Sequence, residues 1–191
     1  MKKLVLHPTS TSAWQTLVKE ANISCHKQLN EDLESYLVFL LMRFANEPSI
    51  VKKIIALDFL KAGNKNGKQR DLLQRDIGDN CLIFSGLFPG QARRRRVNIS
   101  YFVRIGRTAY DSLAETAHMG NLLFRQLSDN FVLLMDILHC IRELDGYTQS
   151  LDLIEAEELW SDTGSLHARE ILNKHCNASI FPPSSGSIQK H

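Results

Sequence analysis

The sequence predicts an all-α protein, a single irregular or orthogonal bundle of about seven or eight helices. Three observations carry that expectation. Apolar residues recur at steps of three and four through most of the chain. Only Leu4–Leu6 and Leu82–Phe84 read as strand candidates, too few to build a substantial sheet. And 191 residues, 43% of them hydrophobic and 23% charged, are enough to bury one core without staples. The expected division is an N-terminal extension over 1–8, one helical domain over 9–180 and a flexible tail over 181–191. The tail expectation rests on Pro182-Pro183-Ser184-Ser185-Gly186-Ser187.

The elements follow in order. A first helix is expected around Ser12 to Glu20. From Asn30 to Phe44, residues Leu33, Tyr36, Leu37, Leu40, Leu41 and Phe44 form one apolar face. Asn30 suits the N-cap, and Glu31, Asp32 and Glu34 suit the positive end of the helix dipole. Pro48 breaks that helix and Ser49 caps the next, which carries Ile50, Val51, Ile54, Leu57, Phe59 and Leu60. Gly63 to Gly67 ends it. Another begins near Lys68, with Leu72, Leu73, Ile77 and Cys81. Periodicity does not decide whether Leu82-Ile83-Phe84 continues it or forms a strand; Phe88-Pro89-Gly90 stops it either way.

Ser100 is expected to cap a helix from Tyr101 to about Thr116. Gly106 inside it costs about 1 kcal/mol relative to Ala, which argues for close packing against a neighbour. Asn121 to Leu144 reads as one long, central helix, with Leu123, Leu127, Phe131, Leu134, Leu138 and Ile141 on its stripe and Gly146 at its stop. Two shorter helices, Leu151–Trp160 and Ser165–Lys174, are separated by Ser161-Asp162-Thr163-Gly164.

Charge is concentrated in one place. The formal net charge is only +2, yet Gln91 to Tyr110 holds six arginines and no acidic residue. Arg93, Arg94, Arg95 and Arg96, expected in an inter-helix loop, are candidates for contacting a polyanion, since guanidinium forks bind phosphate and carboxylate bidentately. Tyr101, Phe102 and Tyr110 would supply stacking surfaces if exposed. The blander reading is a solvated basic loop with the aromatics in the core. No zinc-finger, RNP-like or clear helix-turn-helix pattern accompanies the arginines.

Other candidate chemistry is sparse. Asp76 and Asp79, three apart on a helix, share a face and could hold Mg²⁺ through water or share proton transfer. The alternative is a pair of salt bridges, with Arg104 or Arg107 as partners. Cys25-His26, His139-Cys140 and His175-Cys176 are adjacent pairs whose side chains diverge by about 100° on a helix, poor geometry for zinc. The four cysteines, Cys25, Cys81, Cys140 and Cys176, are scattered and read as reduced, mostly buried thiols. A Cys–His nucleophile needs its groups to meet only in space, and the spacing singles out no cysteine. No GxSxG, P-loop, GxGxxG or HExxH pattern occurs. No metal and no cofactor are expected.

Leu4-Val5-Leu6 is too short for a signal-peptide core, and the longest apolar run, Tyr36 to Met42, is far short of the ~20 residues of a spanning helix. A cytoplasmic protein without membrane attachment is expected. The Asn-x-Ser triplets at Asn22, Asn98 and Asn177 are then coincidental.

Asp76-Ile-Gly-Asp79, the run from Leu82 to Pro89, Tyr101-Phe102, Gly106 and Ala109-Tyr110 resemble an uncharacterised family of small bacterial proteins. The stretches from Asp145-Gly146-Tyr147 to Trp160 and Thr163-Gly164-Ser165 extend the resemblance. It implies a bacterial cytoplasmic protein and no established activity. The matching residues suggest that Asp76, Asp79, Arg104 and Tyr110 meet across two packed helices, as a polar pocket or, the favoured alternative, as a buried network that fixes packing. Three functional readings follow. The first is a non-catalytic helical interaction or regulatory protein with a protein partner. The second is a nucleic-acid or other polyanion binder through Arg93–Arg96. The third is a small enzyme or small-molecule binder around Asp76 and Asp79.

Overall fold

A computed structural model describes residues 10–46, 67–94, 97–116, 121–144 and 151–176; the side chains of Gln91, Arg93, Asn121 and Cys176 are outside that description. Among the described residues the fold is all helical: α1 (Ser10–Ser24), α2 (Glu31–Asn46), α3 (Lys68–Leu87), α4 (Pro89–Arg94), α5 (Ile99–Thr116), α6 (Asn121–Asp129), α7 (Phe131–Glu143), α8 (Leu153–Thr163) and α9 (Leu166–Cys176). The expected helix after Ser49, the strand candidate Leu4–Leu6 and the tail lie outside the described residues.

The centre is the pair α3 and α5, packed antiparallel. Arg70 donates to the Ser112 hydroxyl at one end, and the Phe84 and Phe102 rings stack at 5.6 Å at the other. α7 closes over both helices, and Phe131, Leu134, Met135, Ile137 and Leu138 on it are fully buried. α1 and α2 pack together, with α1 also against α7, and α8 and α9 form a final pair against α5 and α7.

Two glycines let the central helices come this close. A Cβ on Gly106 would strike the Phe131 ring and lie 2.8 Å from the Cys81 Cβ, while one on Gly78 would meet the Tyr110 ring at 2.5–2.8 Å. The expectation of close packing at Gly106 holds.

Several boundaries have visible causes. The Leu33 amide donates to Asn30 Oδ1 at 2.9 Å, so Asn30 does cap α2. Leu82–Phe84 is helix: all three side chains are buried in the middle of α3, so the run is apolar because it faces the core on every side. Pro89 opens α4, the position where its missing N–H costs nothing, so Arg93 and Arg94 belong to a helix rather than a loop. Arg95 and Arg96 are outside the described residues.

Ser100 is not the cap of α5. It sits inside the first turn and donates to Asp162 at 2.6 Å instead. The long helix expected from Asn121 to Leu144 is interrupted at Asn130, between α6 and α7, where the Gln126 carbonyl accepts from both the backbone and the side-chain amide of Asn130. α8 starts with a reciprocal capping box between Asp152 and Glu155 and ends at Gly164, φ +73°.

Alanine at Gly106 gains helix propensity worth about 1 kcal/mol but inserts a methyl into Phe131 and Cys81, an overpacking cost of roughly 1–3 kcal/mol. Gly106→Ala is therefore expected to lower the urea midpoint. A midpoint at or above wild type would show that the α3–α5–α7 contact can relax.

Candidate functional site

Two buried polar constellations stand out, one where α2, α3 and α5 meet and one where α7 meets α9 and the end of α1. The first is built on Asp79. Its carboxylate is 2% exposed and accepts hydrogen bonds from the Tyr36 and Tyr110 hydroxyls at 2.6 Å each on Oδ1, and from Arg43 at 2.7 Å on Oδ2. Arg75 lies 3.7 Å from the same Oδ2 and stacks over the Tyr36 ring at 5.8 Å. Asp76 joins through Arg43, 3.5 Å away.

Burial drives the Asp79 carboxyl upward, and Arg43, the two phenols and Arg75 pull it back, leaving it above the usual carboxylate range. Burial, and then the Asp79 charge, raise both phenols far above theirs. Both tyrosines are thus fixed as neutral donors, a poor state for proton transfer and a good one for cross-linking helices.

Of the four residues expected to meet, Asp79 and Tyr110 are in direct contact and Asp76 is at the edge of the same network. Arg104 is not: it is exposed on the other side of α5. Arg43 and Arg75 take the place assigned to Arg104 or Arg107. None of the main clefts is lined by Asp76 or Asp79, and no group of three metal-ligating side chains occurs among the described residues.

The second constellation lies on one face of α7, where Asp136, His139, Cys140 and Glu143 follow at helical spacing. Asp136 accepts from the Ser165 hydroxyl (2.6 Å) and the Leu166 and His167 amides (3.0 and 3.3 Å), holding the first turn of α9 against α7. Burial raises its carboxyl, and Ser165 first among its partners opposes the shift. His167 is thereby pinned with Nδ1 3.8 Å from Cys140 Sγ and Nε2 3.3 Å from Glu143 Oε1.

Cys25 comes to the same place from the end of α1. His26 takes φ +52° and the Lys27 amide donates to the Asn22 carbonyl, turning the chain so that Cys25 meets Cys140. The two sulfurs are bonded, with Cα atoms 6.4 Å apart, inside the disulfide range. The expectation of four reduced thiols is corrected here. A pair 115 residues apart in sequence leaves no spacing signal. Cys81 fits it: the thiol is free, buried and pushed up by burial.

His139, beside Cys140 on α7, is fully buried. Its ring stacks on His167 at 5.3 Å, and neither nitrogen has a hydrogen-bond partner among the described residues. Burial depresses its pKa to about 3.

Of the arginine run, only the Arg94 side chain is described, and it is exposed. Farther along, Arg104 and Arg107 line an open cleft between α5 and α8 with Tyr101, Asn98 and Ser100. Phe102 and Tyr110 are core residues, not stacking surfaces.

No family model matches the chain. Neither the curated proteins nor the solved structures contain a match. No described helix is long and apolar enough to cross a membrane.

Removing Asp79 strands two buried phenols and an arginine. Asp79→Ala is expected to cost roughly 3–5 kcal/mol, the range for breaking a buried charge network, against under about 0.5 kcal/mol for the exposed Arg104→Ala. Equal losses in denaturant titrations would refute the network.

His139 titrates the other way from a stabilised ion pair. Its folded pKa is about 3 against 6.5 unfolded, so the unfolded chain binds the extra proton between those values. Its contribution to stability is complete above pH 6.5 and is lost by up to about 1.4 kcal/mol per pH unit below it. The raised carboxylates Asp79 and Asp136 act in the opposite sense, so the difference between wild type and His139→Leu isolates the histidine. The variant should lose less stability between pH 7 and pH 4; parallel curves would contradict the assignment.

Proposed function

We propose that the chain is a non-catalytic helical interaction protein of a bacterial cytoplasm, and that the groove between α5 and α8 receives a segment of a partner protein. The observation that carries this reading is the groove's polarity. Two adjoining clefts share Val97, Asn98 and Ser100. At one end stand Arg104 and Arg107, and neither forms an ion pair among the described residues. At the other stand Glu155 and Glu158 beside Ile154, which is 71% exposed.

A groove with basic side chains at one end, and acidic ones beside an exposed apolar side chain at the other, suits a polypeptide with an acidic end and an end that is both apolar and basic. A continuous polyanion suits it less well, because Glu155 and Glu158 would repel phosphates along half its length. The enzyme reading loses its support where Asp79 is saturated by its four neighbours. A carboxylate held by two phenols and two guanidinium groups has nothing left to offer a substrate.

The test is capture of partners by the native protein from a bacterial lysate, with and without nuclease, compared with Arg104→Glu/Arg107→Glu and with Ile154→Asp. All three positions are exposed, so melting temperatures should stay near wild type. Protein recovered by the wild type in both arms is expected to fall at least fivefold with either variant. Recovery that vanishes on nuclease treatment would favour the polyanion reading, and recovery unchanged in both variants would remove the groove from consideration.

A further inference from the structure

We propose that Cys140 and Cys25 form a reversible thiol-oxidation site whose oxidant is a small hydroperoxide, with His167 as the base at Cys140. The geometry that points to it is the meeting of three separate chain segments. Cys140 comes from α7, Cys25 from the end of α1, and His167 from the first turn of α9. His167 Nδ1 faces Cys140 Sγ at 3.8 Å, and Glu143 holds the opposite ring nitrogen at 3.3 Å. With Nε2–H donated to Glu143, Nδ1 is left as the acceptor toward the thiol, the orientation that turns a thiol into a nucleophile.

The second sulfur decides what the nucleophile is for. An acyl or other adduct on Cys140 would be open to displacement by Cys25 before it could be passed on. A sulfenic acid, by contrast, needs such a resolving thiol at once, to escape further oxidation. Size narrows the oxidant. Cys140 is half-buried, while Cys25 is 6% exposed and the His167 side chain 8%, a partly covered site that favours an oxidant of a few atoms.

The steps balance as follows. His167 takes the Cys140 proton. The thiolate attacks the distal oxygen of ROOH, an S–O bond forms as the O–O bond breaks, and RO⁻ leaves with the proton held by His167. The Cys25 sulfur then displaces hydroxide from Cys140–SOH. Its own proton leaves with that hydroxide as water, and the S–S bond forms. Two thiols have lost two electrons and ROOH has become ROH and H₂O. A dithiol reductant returns the pair, taking on the disulfide itself.

The closed bond ties the end of α1 to α7, whereas the reduced pair leaves the two joined only by packing. Its residues are not those of the α5–α8 groove, so either proposal can fail without the other.

The experiment uses the full chain, reduced with dithiothreitol, desalted and treated with one equivalent of H₂O₂. Free thiols should fall from four to two, with a Cys25–Cys140 cross-link in the peptide map that dithiothreitol reverses. Cys25→Ser should stop at a sulfenic acid on Cys140, trapped by dimedone. Cys140→Ser should give neither cross-link nor adduct at Cys25. His167→Gln should slow thiol loss at least tenfold, and Glu143→Gln, milder to the fold, should slow it measurably.

Dimedone on Cys81 or Cys176 instead of Cys140 in Cys25→Ser would overturn the proposal. So would a rate in both the His167 and Glu143 variants equal to wild type, which is what a merely structural cross-link would give.

Discussion

The carboxylate of Asp79 is the constraint around which the central packing is arranged. It is a charge-bearing group with almost no contact with water, and such a group persists only where its lone pairs are occupied. Tyr36 and Arg43 come to it from α2, Arg75 from its own helix, and Tyr110 from α5. The backbones of α2 and α3 hardly approach one another. Long polar side chains therefore specify how those two helices sit, where apolar contact alone would tolerate more than one arrangement. Desolvation makes the network a weak source of net stability, but breaking it is expensive. Its value is in the geometry that it excludes.

That geometry needs bare backbone at the right places. Tyr110 reaches Asp79 because Gly78, one residue before it on α3, leaves room for the ring. One turn further on, Gly106 admits both Phe131 and Cys81. The same antiparallel contact that brings Tyr110 to the carboxylate thus also seats the first turn of α7. From there α7 runs out through a fully buried stretch to Asp136, His139 and Cys140, where α9 and the end of α1 are attached. The two polar constellations are therefore linked through one rigid element rather than by direct contact.

Sequence reasoning reached the helices whose signals are local. Asn30 announces its cap because the amide it satisfies is three residues away, and Gly106 announces a close approach because nothing else repays its cost in a helix. Where two signals compete, the local one misleads. Ser100 looks like a cap, yet the helix has already begun at Ile99, and its hydroxyl instead donates to Asp162, 62 residues on. Asn130 looks like one more polar residue on a long amphipathic helix until its side chain bonds Gln126. Asp76 and Asp79 were legible as a pair on one face, but not all of the arginines that meet them were. Arg75, four residues before Asp79 on the same helix, follows from helical spacing, but Arg43, Arg104 and Arg107 are equivalent in a sequence, and only the crossing of α2 over α3 chooses among them.

The thiol constellation was less legible still, for a different reason. Asp136, His139, Cys140 and Glu143 do carry a signal, since polar residues at steps of three and four on an otherwise apolar helix must face something. What they face is set by Asp136, which captures the Ser165 hydroxyl and two amides of α9 and so fixes where His167 stands. A buried carboxylate that caps another element's helix converts a loose inter-helix turn into a positioned imidazole. His139 shows what the arrangement costs: an imidazole kept neutral by burial, with no hydrogen-bond partner among the described residues, its ring packed flat against His167. A core selected for stability alone would place an apolar side chain there.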